Sequence, residues 1–338
     1  MLKKTIFLFL LILLTSAAVF AQRGTARGET VEIRFASSLP RNSDWGRALD
    51  RLAADWERVT NNSVRVVISH DGREGGEAQM LSSLSSNSIQ VAIFTTHGIS
   101  EICPPVMTLS APFIIKNDAE FDIVFNELRP VLENRVHNDF VIIAWSKGGW
   151  VYVFSKEKVF TPTDLRQQRM ASGSEFQNLN LAFRTMGFQV VETDMVSLAP
   201  RLASGMVNAI YLIPAAIAPM QLHRHLGNML NLPIAPIMGA IVMNRVTWNR
   251  LTPSHQQEIL RASQRIADEF DRAMPRTESN AVASMGRSGL TVNRLTAAQE
   301  DLWRKELEEA LPSLVGPVFD RDIFQRMIAI LERARSRR

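Results

Sequence analysis

Three short apolar runs, VEIRFAS at 31–37, SVRVVIS at 63–69 and IQVAIF at 89–94, are separated by two stretches with a different rhythm. In the first run Val31, Ile33 and Phe35 alternate with Glu32 and Arg34, the two-residue period of a strand with one buried face. Between the first and second runs, Asn42-Ser43-Asp44 offers an N-cap, and Trp45, Leu49, Leu52, Trp56 and Val59 recur at spacings of four and three. A Gly-rich turn, DGREGGE, then leads into a second helical stretch carrying Met80, Leu81 and Leu84. Strand, helix, strand, helix, strand at this spacing demands parallel pairing, because a helix-length connection returns the chain to the same end of the sheet. The opening third of the chain is therefore α/β, with helices on the sheet faces.

The pattern then continues. A helix is expected from about Asp118 to Val136, with Phe121, Val124, Phe125, Leu128 and Leu132 on one face, followed by a strand at FVIIAW. A second α/β region begins at GGWVYVFS. It runs through a short helix at TPTDL, a strand at RMAS, a helix ended by Gly187 and a strand at FQVVE, and SLAPRLASGM then precedes VNAIYLI. GAIVMNRVTWNRL reads as a strand into a turn, and Thr252-Pro253-Ser254 opens a long helix. There is no internal repeat and no low-complexity segment.

The ends limit where such a chain can act. The opening MLKKTIFLFLLILLTSAAVFAQ places Lys3 and Lys4 before an apolar run and small residues after it, the layout of a cleavable secretory signal at 1–21. The run is short for a spanning helix, which needs about 20 apolar residues. Residues 22–30 read as a polar linker, and the expected location is the periplasm. A single cysteine, Cys103, rules out an internal disulfide and reads as a packing residue. The formal net charge of +4 includes Lys3 and Lys4, and the basic end ERARSRR lacks aromatic residues, so nucleic acid is not an expected partner.

Catalytic patterns are missing. There is no G-x-S-x-G elbow, no phosphate-binding G-x-x-x-x-G-K and no G-x-G-x-x-G behind the first strand. His223 and His225 stand two apart, on different faces of a helix, and no cysteine or H-E-x-x-H spacing supports a metal. Neither a cofactor nor a metal is expected. Thr95 and His97 end the third strand, where open α/β sheets face their ligand crevice. An exported α/β chain of two regions without catalytic groups points to a ligand-binding protein that closes on a hinge.

Ordered pieces carry a family resemblance: VEIRFASSLP, WERVTNNSVRV, SLSSNSIQVAI, LSAPFII, GGWVYVFSKEKVFTPTDL, FRTMGFQVVE, LASGMVNAIY and VMNRVTWNRLTPSHQQEIL. Together, from Val31 to about Leu311, they resemble the extracytoplasmic solute-binding proteins of TRAP (tripartite ATP-independent periplasmic) transporters, and among these the treponemal type. The resemblance implies a two-lobed α/β, periplasmic-binding-protein-like fold with a long helix spanning both lobes. The first lobe is expected to comprise 31–148 with 239–278, and the second 149–238 with 279–338. It also implies a small-molecule ligand, TRAP membrane permease subunits and a TPR-repeat periplasmic protein as partners, and no enzymatic activity.

The family binds organic acids through an arginine that ends a G-L-K-x-R strand, often with a second arginine two residues after the glycine matching Gly149. Here DLRQQRMASGS sets Arg169 on the family's lysine and Ala171 on its arginine, and Val151 falls at the second arginine position. Leu212 stands where a pocket asparagine is common, and Met195 where an aromatic is. A pocket of Val151, Ala171, Met195 and Leu212 cannot compensate the desolvation of a carboxylate. It suits a hydrophobic or amphipathic ligand, with Trp150 and Tyr211 as walls and a polar handle. Two other readings stay open: a conventional carboxylate receptor anchored by a shifted arginine such as Arg169, and an exported enzyme or scaffold on the same fold.

Overall fold

A computed structural model describes residues 30–173 and 177–337, with side chains omitted at 195 and 196. The expected signal peptide and all but the last residue of the expected linker lie outside the described residues.

The first strand, β1 (Val31–Ala36), pairs in parallel with both β2 (Val64–Ser69) and β3 (Val91–Thr95), as the connection lengths require. Ser43 caps the leading helix, Asp44–Val59, accepting the Gly46 N–H at 3.1 Å. Leu49, Leu52 and Trp56 on its inner face are buried against Val31, Ile33 and Phe35. The remaining strands are β4 (Phe140–Ser155), β5 (Arg169–Ser172), β6 (Gln189–Glu192), β7 (Ala209–Leu212), β8 (Asn228–Leu230), β9 (Ala235–Asn244) and β10 (Thr291–Asn293). The sheet order is β2-β1-β3-β9-β4-β7-β5-β6, with β8 also on β4 and β10 on β8.

Two strands join the halves. FVIIAW, read as a strand, and GGWVYVFS, read as the start of the second region, form one 16-residue strand, β4. It pairs antiparallel with β9 from Phe140↔Asn244 to Val151↔Ala235, with irregularities between Ile142 and Ala144 and between Lys147 and Gly149. The first half of β4 thus lies in the sheet of β1–β3, and its second half pairs with β7. The long helix, Pro253–Arg287, runs beside both. It continues through Pro275 without a break. Its indole-facing partner is Trp56, whose Nε1–H donates to Ser263 Oγ at 2.9 Å in the buried interior.

The C-terminal helix, Arg321–Arg335, packs against helix Asp118–Glu133, although the sequence reading grouped 279–338 with the second lobe. Ile323, Met327, Ile330 and Leu331 enter the large core beside Val124 and Leu128. Arg335 fastens the end with hydrogen bonds to both oxygens of Glu120, at 2.9 and 2.8 Å. This apolar stripe of the last helix, not chain order, decides where it sits.

Candidate functional site

At the crossing of the two halves, β3, β9 and β4 run side by side, and Thr95, Gly239 and Ser146 form one row across them. An apolar cluster lies near that row. Val151, Ile213 and Ala235 are buried together, with Trp45, Tyr211, Ala216 and Ile237 packed around them. Trp45 comes from the leading helix, whereas Ile213 and Ala216 come from the segment after β7, so the cluster bridges the halves. Burial drives the Tyr211 phenol far above its ordinary value, so it stays protonated, and its ring meets Phe183 edge-on at 5.2 Å.

The other residues singled out in the sequence take separate places. Ala171 is buried in the second half's own core with Phe154, Leu198 and Ile210, and half-buried Leu212 packs on that core opposite Tyr152. Met195 opens the helix Met195–Ala203, and its side chain lies outside the described residues. Thr95 is occupied: its N–H and hydroxyl donate to the Glu77 carboxylate at 2.7 and 3.1 Å. Glu77 also accepts the Gly98 N–H at 2.7 Å, closing the start of the turn that carries His97. Desolvation holds His97 down at about 4, so the ring is neutral at neutral pH. Cys103 is a buried free thiol raised to about 11, which suits packing rather than nucleophilic attack.

Neither arginine of DLRQQRMASGS faces the bridging cluster. Arg169 is exposed, with Nε and NH2 donating to the carbonyls of Met206 at 3.1 Å and Gly205 at 2.7 Å. Arg166 donates to the Met186 carbonyl, pairs with Glu306 and lies over the Phe188 ring. The two guanidinium groups tie down the edge of the second half.

Trp150 points elsewhere than Val151. Its indole N–H donates to Asp118 at 2.9 Å and its backbone N–H to Glu278 at 3.0 Å. Seven residues earlier on the long helix, Asp271 accepts the Lys147 N–H at 2.8 Å and the Ser146 hydroxyl at 3.0 Å. The two carboxylates therefore grip β4 on either side of Gly148-Gly149, where the strand is irregular. Burial is the main cause that raises Glu278 to about 7 and Asp271 to about 6; the hydrogen bonds they accept oppose the shift. Asp118 adds to the rise at Glu278, and Asp268 to that at Asp271. A small cavity of about 40 Å³ lies here, bordered by Asp118, Lys147, Trp150 and Glu278. Sequence reading missed this grip, and also Trp45, Ile213, Ala235 and Ile237. Trp45 was legible as a helix-face residue, but its reach beyond the first half was not.

A family model described as bacterial extracellular solute-binding protein, family 7 (DctP), matches residues 35–315. The chain belongs to this family. No curated protein matches it. Solved structures similar to this DctP-family chain include a TRAP periplasmic solute binding protein from Sulfurospirillum deleyianum DSM 6946 with bound succinate. It has a TM-score of 0.81 and 16% identity, over 90% of this chain and 100% of that one. Another, from Ralstonia eutropha H16 with bound (S)-2-acetolactate, has a TM-score of 0.82 and 18% identity, over 89% and 99% of the two chains. DctP7, a Bordetella pertussis extracytoplasmic solute receptor binding pyroglutamic acid, has a TM-score of 0.79 and 14% identity, over 89% and 99%. At these identities the likeness establishes the fold: the two-lobed α/β architecture of DctP-family receptors.

Proposed function

We propose that this DctP-family chain is the periplasmic receptor of a TRAP transporter and takes a hydrophobic or amphipathic small ligand in the cleft between its lobes. One observation carries the ligand class: the cluster bridging the halves is Val151, Ile213 and Ala235, walled by Trp45, Tyr211 and Ile237, while Arg166 and Arg169 are engaged elsewhere. A carboxylate placed there would lose its hydration without gaining a guanidinium, a charge-assisted contact worth about 1.5–3 kcal/mol. An apolar group gains about 25 cal/mol per Å² buried. The lobes divide at the Gly148-Gly149 crossing, with the C-terminal helix moving with the first. The receptor performs no catalysis, delivers its ligand to the membrane permease subunits and, as a treponemal-type member, works beside a TPR-repeat protein.

The second reading, a carboxylate receptor, draws on the succinate, acetolactate and pyroglutamic acid bound by the similar structures. Mass spectrometry of ligand retained through purification, followed by calorimetry on stripped protein, separates the two. The expected result is heat for an apolar or amphipathic compound and none for succinate or malate, with binding abolished by Val151→Asp. Tight succinate binding lost in Arg169→Ala would establish the carboxylate reading. Turnover of a retained compound would show an enzyme.

A further inference from the structure

The apolar surface at the crossing does not end at the bridging cluster. Strand β9 presents alternate residues to one side, and in order these are Ala235, Ile237, Gly239, Ile241 and Met243. Ala235 and Ile237 belong to the bridging cluster, and Met243 to the first half's core. Between them, at Gly239 and Ile241, lies a chamber of about 50 Å³. Trp45 and Leu49 of the leading helix and Ala267 and Phe270 of the long helix flank it, and it stays partly open to solvent. Trp45 packs on the bridging cluster and also lines the chamber, where its ring lies 5.5 Å from that of Phe270.

Two features argue that the chamber is built to stay open. Gly239 sits inside a central strand, where glycine weakens pairing and contributes nothing to packing. Its φ is not of the left-handed kind, and a Cβ added there would meet nothing closer than the Phe94 carbonyl oxygen at 3.6 Å. Neither backbone conformation nor close approach requires a glycine; its missing side chain leaves space on the chamber floor. The chamber also offers an ordered water few partners. Its hydroxyls are committed, Ser263 to Trp56 and Ile259 and Ser146 to Asp271, and an ordered water needs two to four polar partners. A water occupies about 10–15 Å³ on this scale, so the space fits the last few carbons of a chain.

We propose that this chamber is a second compartment of the ligand site, receiving the end of an unbranched hydrocarbon chain whose remainder lies in the bridging cluster. It sets the longest chain the receptor accepts. The inference rests on the apolar-ligand reading above.

The test measures binding of straight-chain 1-alkanols, from hexanol to tetradecanol, to the full mature chain by calorimetry. Gly239→Val fills the chamber from the sheet, and Ala267→Leu fills it from the long helix. The native chain should tighten about fourfold per added methylene up to a limiting length. Both variants should bind short alcohols as the native chain does, yet reach their limit two to four carbons earlier. Should one variant fail to fold, the other carries the same comparison. An unchanged limit in a folded variant, or equal weakening at every length, would overturn the chamber while leaving the apolar cleft standing. Absence of binding by the native chain at every length would overturn both.

Discussion

Gly149 shows how little room the crossing leaves. Its φ is +104°, and a Cβ there would lie 2.3 Å from Glu278 Oε1. An alanine must both adopt a conformation costly to L-residues and displace the carboxylate that accepts the Trp150 N–H. Gly149→Ala is expected to destabilise the protein by about 2–3 kcal/mol, read as a lower urea midpoint with unchanged slope. Gly205 has φ +74° but nothing within 4 Å of an added Cβ, so Gly205→Ala should cost less. Sequence alone marked Gly149 as a family landmark but not as a packing constraint. The same limit applies to Thr95: its place at a strand end was legible, but its engagement by Glu77 was not, because that contact spans 18 residues. Ala171 and Leu212 could be placed on a short strand, yet which face of the strand met the neighbouring half depended on partners far along the chain.

At the scale of elements, the long helix is the part whose charge state matters most. Glu278 and Asp271 are held above the ordinary carboxylate range, so the folded state binds their protons more tightly than the unfolded chain does. Their contribution is full at low pH and is lost as pH rises through about 6 and 7. His97 works in the opposite sense, because the unfolded chain gains its proton first on acidification. The difference between native chain and Glu278→Gln cancels that effect. Glutamine keeps an oxygen for the Trp150 N–H and never ionises, so its stability relative to the native chain should rise between pH 5 and pH 8. The gain should be on the order of 2 kcal/mol, and thermal unfolding at intervals of pH reads it. A flat difference would mean that solvent reaches Glu278 freely. The existence of this helix was plain from its cap and periodicity. Its extent beyond Pro275 was not, since a proline inside a helical pattern ordinarily marks an end.

For the whole molecule, the alternation of strands and helices was enough to identify the class, because connection length alone dictates parallel pairing of β1 with its neighbours. The joining of the halves was less legible. It depends on one strand continuing through two glycines and on a later strand returning to lie beside it. β4, β9 and the long helix are shared by both halves, and the largest core joins residues of both. Unfolding should therefore be a single transition, with circular dichroism and Trp fluorescence giving coincident denaturation curves; two separated steps would show that the lobes uncouple.

The position of β9 also bears on how such a chain is made. It is the strand between β3 and β4, yet it arrives after the entire second α/β region has been synthesised. Until Asn244 emerges, β3 lacks a neighbour on one side, Thr96 lacks the Met238 N–H it accepts, and the first half has an open seam through its middle. Contacts this distant in sequence form late. The sheet of the first half is therefore incomplete until nearly three quarters of the chain has been made.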